Sequence, residues 1–167
     1  KNMNKDILYT YCRVSSQEQE TDGNSLKVQQ DWGKRVAKKL QMKVNVDTYF
    51  EGVRSSTTQF RPILDKLEKD IRKGKVRHLW TQDLDRLFRN QVEFGFFVND
   101  FLIPHKVDFY MGNYGEKYDL KNDDVLMLLD IIARVKENTV KKQSEKSKRG
   151  KIYKLEKESP TKPVFLG

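Results

Sequence analysis

One cysteine, Cys12, is all that this 167-residue chain contains. No internal disulfide can form, and there is no thiolate cluster to hold a structural zinc. A lone cysteine at the end of an apolar stretch is expected to be a small buried side chain in a strand. The two histidines, His78 and His105, stand far apart and in no motif. No carboxylates are spaced as metal ligands either, so both histidines are expected to be structural and no cofactor is expected. Apolar runs are short: none approaches the ~18 residues that a membrane span requires. The N-terminus carries no signal-peptide pattern, which fits a cytoplasmic protein with no membrane partner. Glycine-rich phosphate loops are missing too, since neither G-x-G-x-x-G nor G-x-x-x-x-G-K-[ST] occurs. Prolines are few, at positions 62, 104, 160 and 163, and leave room for long regular elements.

What the chain does have is charge and aromatic residues. Charged residues make up 34% and aromatic ones 11%, against a hydrophobic fraction of 37%. That is polar, but it suffices for one domain with a sizeable core and argues against wholesale disorder. The net charge of +9 is unevenly placed. Residues 131–167 hold eleven Lys and Arg against four Asp and Glu, which is +7 of the total. A basic segment at one end is what a polyanion partner selects, although a well-solvated lysine-rich helix has the same composition.

Strand-like and helix-like segments alternate. Residues 6–12 read as a strand. Residues 25–42 read as a helix with Leu26, Trp32, Val36 and Leu40 roughly on one face, preceded by an Asp22-Gly23-Asn24 turn. A second strand spans 44–50, and a Ser/Thr-rich loop 52–60. Pro62 then opens a helix through Ile63, Leu64, Leu67 and Ile71, where its missing N–H costs nothing; Gly74 ends it. A third strand spans 76–81, a phenylalanine-rich helix 90–103 stops at Pro104, and a fourth strand spans 107–111. This order predicts an α/β fold, a mostly parallel central sheet flanked by helices. From Asp123 to about Lys157 there is no proline and one glycine, Gly150. Val125, Leu128, Ile132 and Val135 recur at helical steps there, and after Val140 the chain turns basic. One projecting C-terminal helix of over thirty residues, or two helices broken at Gly150, satisfies the pattern. The expected division is an α/β domain at 1–121, a long oligomerisation and DNA-contacting helix at 122–158, and a linker at 159–167. That linker, Ser159-Pro160-Thr161-Lys162-Pro163, suggests a piece of a longer protein. No internal repeats are present.

Three clusters carry chemistry. In Tyr11-Cys12-Arg13-Val14-Ser15-Ser16-Gln17-Glu18-Gln19, a serine follows an arginine as the chain leaves the first strand. Strand C-terminal ends are where open α/β sheets present ligand-binding groups. A serine beside a fixed cation there could attack a phosphate, or the run could be a plain Ser/Gln turn. In Asp85-Arg86-Leu87-Phe88-Arg89-Asn90, two arginines three apart share a face if they open the next helix. Guanidinium forks near a helix N-terminus suit a phosphate; a salt-bridge ladder with Asp83 and Asp85 is the alternative. Glu51 ends the second strand, on the same sheet edge as Ser15. A carboxylate there could orient an arginine or accept the serine proton, or be a solvated loop residue.

The nine-residue run resembles the start of the catalytic domain of the serine site-specific recombinases, the resolvase, invertase and large serine integrase superfamily. Their pattern Tyr-x-Arg-Val-Ser-[Ser/Thr]-x-x-Gln is met at every fixed position. Asp85-Arg86-Leu87-x-Arg89 resembles the second signature, and Arg61-Pro62-Ile63-Leu64 resembles the family's Arg-Pro-x-Leu. The resemblance covers roughly residues 6–167 and is most like the large serine recombinases, through Asp22-Gly23-Asn24-Ser25-Leu26. It implies that Ser15 is the nucleophile, that Arg13, Arg61, Arg86 and Arg89 contact the scissile phosphate, and that Glu51, Asp85 and Gln19 support them. Gln29 matches a family position where an amide could hold the serine loop or an arginine. Glu137 matches a glutamate near the point where the helix leaves the domain, with intersubunit contacts implied. Lys141, Lys142, Lys146, Lys148, Arg149 and Lys151 would then lie along double-stranded DNA, and the protein would self-associate as a dimer and, on DNA, a tetramer. Two departures stand out: Glu51 replaces the usual aspartate, and Arg54 stands where a serine is usual, with Ser55 beside it. A serine-recombinase-type transposase and a degenerate nucleic-acid-binding module are the competing readings, with a flavodoxin-like phosphate-binding domain less supported.

Overall fold

The computed structural model describes residues 7–14, 26–51 and 61–158. It contains β1 (Ile7–Arg13), α1 (Leu26–Lys39), β2 (Lys43–Glu51), α2 (Pro62–Arg72), β3 (His78–Thr81), α3 (Leu84–Leu87), α4 (Gln91–Phe97), β4 (Asp108–Met111), β5 (Glu116–Tyr118) and α5 (Asp123–Glu158). A π-helical segment, Val98–Leu102, continues α4. The sheet order is β2-β1-β3-β4-β5, parallel except for β5. The expected α/β fold with a mostly parallel sheet is what the chain adopts. The antiparallel β5 was not expected: three residues with two exposed side chains carry too short an alternation to read.

Side-chain alternation along β1 divides the core in two. Tyr9 and Tyr11 face α2, α3, α4 and α5, in a cluster with Leu67, Ile71, Leu87, Phe97 and Leu129. Leu8 and Cys12 face α1, with Val36, Ala37 and Trp80. Cys12 is the buried strand residue expected of it, its thiol pushed up to about 11, chiefly by burial. Leu26, Trp32 and Leu40 do pack with Val36 on one side of α1, around a buried centre of Gln29, Gly33, Val36 and Ala37. The β1–β2 register slips between Tyr9 and Tyr11, which face Asn45 and Tyr49. Beyond that bulge Glu51 stands opposite Arg13.

Helix α5 runs unbroken through Gly150, which decides between one helix and two. Its packed face differs from the expected one. Leu129 and Ala133 are buried, while Leu128 and Val135 are exposed, so the stripe is rotated by about one position. The run Val125-Leu126-Met127-Leu128-Leu129 is apolar at every step, so its periodicity cannot tell the two faces apart.

Two glycines give opposite expectations. Gly115, before β5, has φ +64°, and a Cβ there would sit 2.3 Å from Val36 Cγ1. Gly115→Ala is expected to cost about 2–4 kcal/mol, combining left-handed strain with overpacking. Gly150 lies in an exposed helix with nothing within 4 Å of a Cβ. Gly150→Ala should stabilise α5 by about 1 kcal/mol. Urea denaturation of the two variants checks both signs.

Candidate active site

The strand order places a topological switch between β1 and β3, whose outward crossovers run in opposite directions; ligands bind at such points, beyond the strand C-terminal ends. Arg13 ends β1 there. Its Nε donates to the Arg86 carbonyl at 3.0 Å and its Nη2 to the Asp85 carbonyl at 2.5 Å. One guanidinium therefore braces the turn that carries the second arginine cluster. Gln29, fully buried in α1, fixes Arg13 from behind: its Oε1 accepts the Arg13 N–H at 3.2 Å and its Nε2 donates to the Arg13 carbonyl at 3.0 Å. The amide thus holds the strand end two residues before Ser15 in the sequence. Ser15, Gln19, Arg54 and Ser55 themselves lie outside the described residues.

Arg61, the N-cap of α2, is 6% exposed, and Glu51 is 7% exposed. Glu51 Oε2 accepts the Tyr11 hydroxyl and, at 3.5 Å, the Arg61 Nε–H. Arg61 Nη2 in turn donates to the Tyr11 oxygen at 2.8 Å, and Nη1 donates to Glu93 Oε2 at 3.4 Å. Burial, with the Glu51 carboxylate, keeps the Tyr11 phenol far above its ordinary range, so it stays a hydroxyl donor. Burial would lower the Arg61 guanidinium, but Tyr11, Glu51 and Glu93 outweigh it and hold it up. Arg13 is lowered, first by burial and then by the positive charge of Arg61, with Arg86 adding to the effect. It remains a cation. Arg61 and Arg86 are thus both within electrostatic reach of Arg13 at one sheet edge.

Arg86 and Arg89 do not open one helix. Arg86 lies in the four-residue α3 and is 7% exposed, whereas Arg89 is exposed in the turn before α4. The spacing suggested a shared helical face, but Phe88 caps α3 with extended backbone and breaks it. Arg86 and Asp85 line a polar cleft of about 420 Å³ with Gln82, Asp83, Gly112, Asn113 and Lys136. Asp85 Oδ1 is buried there without a donor among the described residues. His78 and His105 do not contribute: His78 faces Asp108 and Tyr110, and His105 the Phe101 carbonyl. No group of His, Cys, Asp or Glu among the described residues could hold a metal ion. No described helix is long and apolar enough to cross a membrane.

Helix α5 is tied to this edge. Lys136 Nζ pairs with Asp83, which also caps α3 by accepting the Leu84 N–H at 2.9 Å. Glu137 Oε2 accepts the Gln91 N–H of α4 at 3.4 Å, within the chain, and Glu137 Oε1 pairs with Lys141 at 2.7 Å. That pairing and the backbone donor hold the Glu137 carboxyl below its ordinary range. Lys142, Lys146, Lys148, Arg149 and Lys151 continue along the exposed part of α5. Asp83→Ala should cost about 1–2 kcal/mol, because it removes both a cap and an ion pair. Lys136→Ala removes only a partly exposed pair and should cost under about 1 kcal/mol. A double-mutant cycle in urea measures the coupling.

Sequence reasoning missed Glu93 and Lys136, and gave Tyr11 no role of its own. Asn90-x-x-Glu93 has the form of a capping box, which was the available signal. Nothing in the local sequence marks Lys136, whose partner is 53 residues away.

The family model described as "Resolvase, N terminal domain" matches residues 8–159. Among solved structures, the N-terminal catalytic domain of TP901-1 integrase aligns at 21% identity with a TM-score of 0.58, covering 83% of this chain and 98% of that one. A resolvase-family site-specific recombinase from Streptococcus pneumoniae aligns at 19% identity with a TM-score of 0.58, covering 89% and 99%. At these identities the likeness is one of fold. No curated protein sequence matches the chain.

Proposed function

The chain belongs to the family of the resolvase N-terminal domain, the serine recombinase catalytic domain, and from that premise we propose that it breaks and rejoins double-stranded DNA at a specific site through Ser15. The Ser15 Oγ attacks a backbone phosphorus. The O–P bond to serine forms and the P–O3′ bond breaks, and the serine proton passes by way of an acceptor to O3′, which leaves as a hydroxyl. A 5′-phosphoserine remains. After strand exchange, the new 3′-hydroxyl attacks the phosphoserine and returns the proton to Ser15. Each step exchanges one phosphodiester for another, so rejoining draws no energy from outside.

The observation that carries this reading is the place of Arg13 between two other arginines: its guanidinium donates to the Arg86 carbonyl, and it stands opposite Glu51, which holds Arg61. Charge in phosphoryl transfer accumulates on the phosphate oxygens, and preorganised cations are its main stabiliser. Arg89 adds a fourth cation from the exposed side. Glu51 serves to aim Arg61, since its described partners are Arg61 and Tyr11. Asp85 and Gln19 are proposed as supporting residues. The exposed residues Lys141, Lys142, Lys146, Lys148, Arg149 and Lys151 are proposed to neutralise DNA phosphates. Exposed apolar side chains at Val92 and Phe96 on α4, and at Met127, Leu128, Ile131 and Val135 on α5, support self-association as a dimer and, on DNA, a tetramer.

The test uses the native protein and DNA flanking its gene, quenched with SDS. Protein joined to a 5′ end, with the phosphate mapped to Ser15 by peptide mass, establishes the reading. Specific DNA binding without any adduct sinks it.

A further inference from the structure

Arg61 and Arg89 come from different parts of the fold, one capping α2 and the other in the turn before α4. A single carboxylate oxygen joins them. Glu93 Oε2 accepts the Arg61 Nη1–H at 3.4 Å and the Arg89 backbone N–H at 2.9 Å. Asn90, the N-cap of α4, fixes the base of that side chain by accepting the Glu93 N–H at 2.9 Å. In an ordinary capping box the glutamate returns to the N-cap N–H. Here it reaches one residue further back, to Arg89, and sideways to a buried guanidinium. Capping α4 requires neither contact.

We propose that Glu93 is a positioning residue, which sets the spacing between Arg61 and the Arg86–Arg89 turn so that cations from two segments meet one phosphate. This rests on the reading of those arginines as phosphate ligands. Position and charge predict opposite effects. The Glu93 side chain is 37% exposed and carries a negative charge beside the proposed path of a polyanion. Judged by charge alone, its removal tightens DNA binding and leaves the rate equal or higher. Judged by position, its removal slows the chemical step, because small misplacements of aligned groups are expensive in rate.

The experiment measures the first-order rate of SDS-resistant adduct formation at saturating DNA, alongside DNA affinity. Glu93→Ala is expected to lower the rate by about tenfold or more, with affinity equal or tighter. Glu93→Gln keeps an oxygen acceptor at the same reach and is expected to recover most of the loss. A Glu93→Ala rate equal to wild type, or a Glu93→Gln rate as slow as Glu93→Ala, overturns the inference and leaves the recombinase reading intact. A wild-type protein that binds its DNA but forms no adduct overturns both. A DNA-free arm follows the Arg89 amide and the Arg61 guanidinium by NMR. Glu93→Ala should speed Arg89 amide exchange by about tenfold, the scale of one lost hydrogen bond, and shift the Arg61 signals. If neither moves, the clamp does not exist and the inference falls whatever the DNA assay gives.

Discussion

Ser15→Ala is expected to leave no covalent protein–DNA adduct and no recombinant product, a loss of at least ~10⁴-fold in the chemical step. The substitution deletes one hydroxyl and no charge. DNA binding through arginines and lysines should therefore be unchanged, and so should assembly. That combination distinguishes a missing nucleophile from a damaged fold: gel shifts stay at wild-type levels while the SDS-resistant band disappears. Ser16 stands next to Ser15 and is the built-in control. Ser16→Ala should keep adduct formation within a few-fold of wild type. An adduct that persists in Ser15→Ala and vanishes in Ser16→Ala would reassign the nucleophile. An adduct that persists in both would remove serine chemistry from this segment altogether.

Arg61→Ala is expected to be the most destabilising single change at the site, by about 3–5 kcal/mol. The argument rests on what the guanidinium leaves behind. Glu51 is buried, and its remaining described partner would be the Tyr11 hydroxyl. A carboxylate taken out of water needs its counter-charge, and removing one partner of a buried pair costs more than the pair itself contributes. Tyr11 would lose a donor to its oxygen and Glu93 would lose its link to α2. Arg61→Ala combined with Glu51→Gln should recover part of the loss, since the stranded charge is then gone. Urea denaturation gives the values. If Arg61→Ala costs under about 1 kcal/mol, water reaches Glu51 freely and the buried network does not hold this edge together. On DNA, Arg61→Ala should also slow cleavage by about 10²–10³-fold, the scale seen when a preorganised charge-stabilising donor is removed.

The sheet, its flanking helices and the helical character of 123–157 were legible because the relevant signals are local and periodic, whereas one helix or two was left to the structure to decide. Four apolar stretches of strand length alternate with helical stretches, and between residues 123 and 157 there is no proline and one glycine, Gly150. The sheet edge of the site was legible for the same reason: Arg13 and Glu51 each end a strand, and parallel strands bring their ends together. Their pairing in register depends on a bulge in β2 that no propensity announces. The relation of Arg86 to Arg89 was misread because spacing alone assumes a helix, whereas extended backbone at Phe88 separates them. The packed face of α5 was misread because an unbroken apolar run has no phase. Long-range polar pairs such as Lys136 with Asp83 and Arg61 with Glu93 were out of reach, because a surface-type sequence gives no hint of which distant charge it will meet.

The anchoring of α5 has a mechanical consequence. Lys136 and Glu137 tie it to Asp83 and to α4, and every described side chain from Asn138 to Leu155 is exposed. The stretch from there to Glu158 is about 30 Å long, from the helical rise. Over that length a change of about 10° in the direction of the axis at Lys136 displaces the far end by about 5 Å, close to one turn of helix. Asp83, the partner of Lys136, also caps the turn carrying Arg86. One carboxylate thus touches both the helix that carries the basic residues and the turn that carries Arg86.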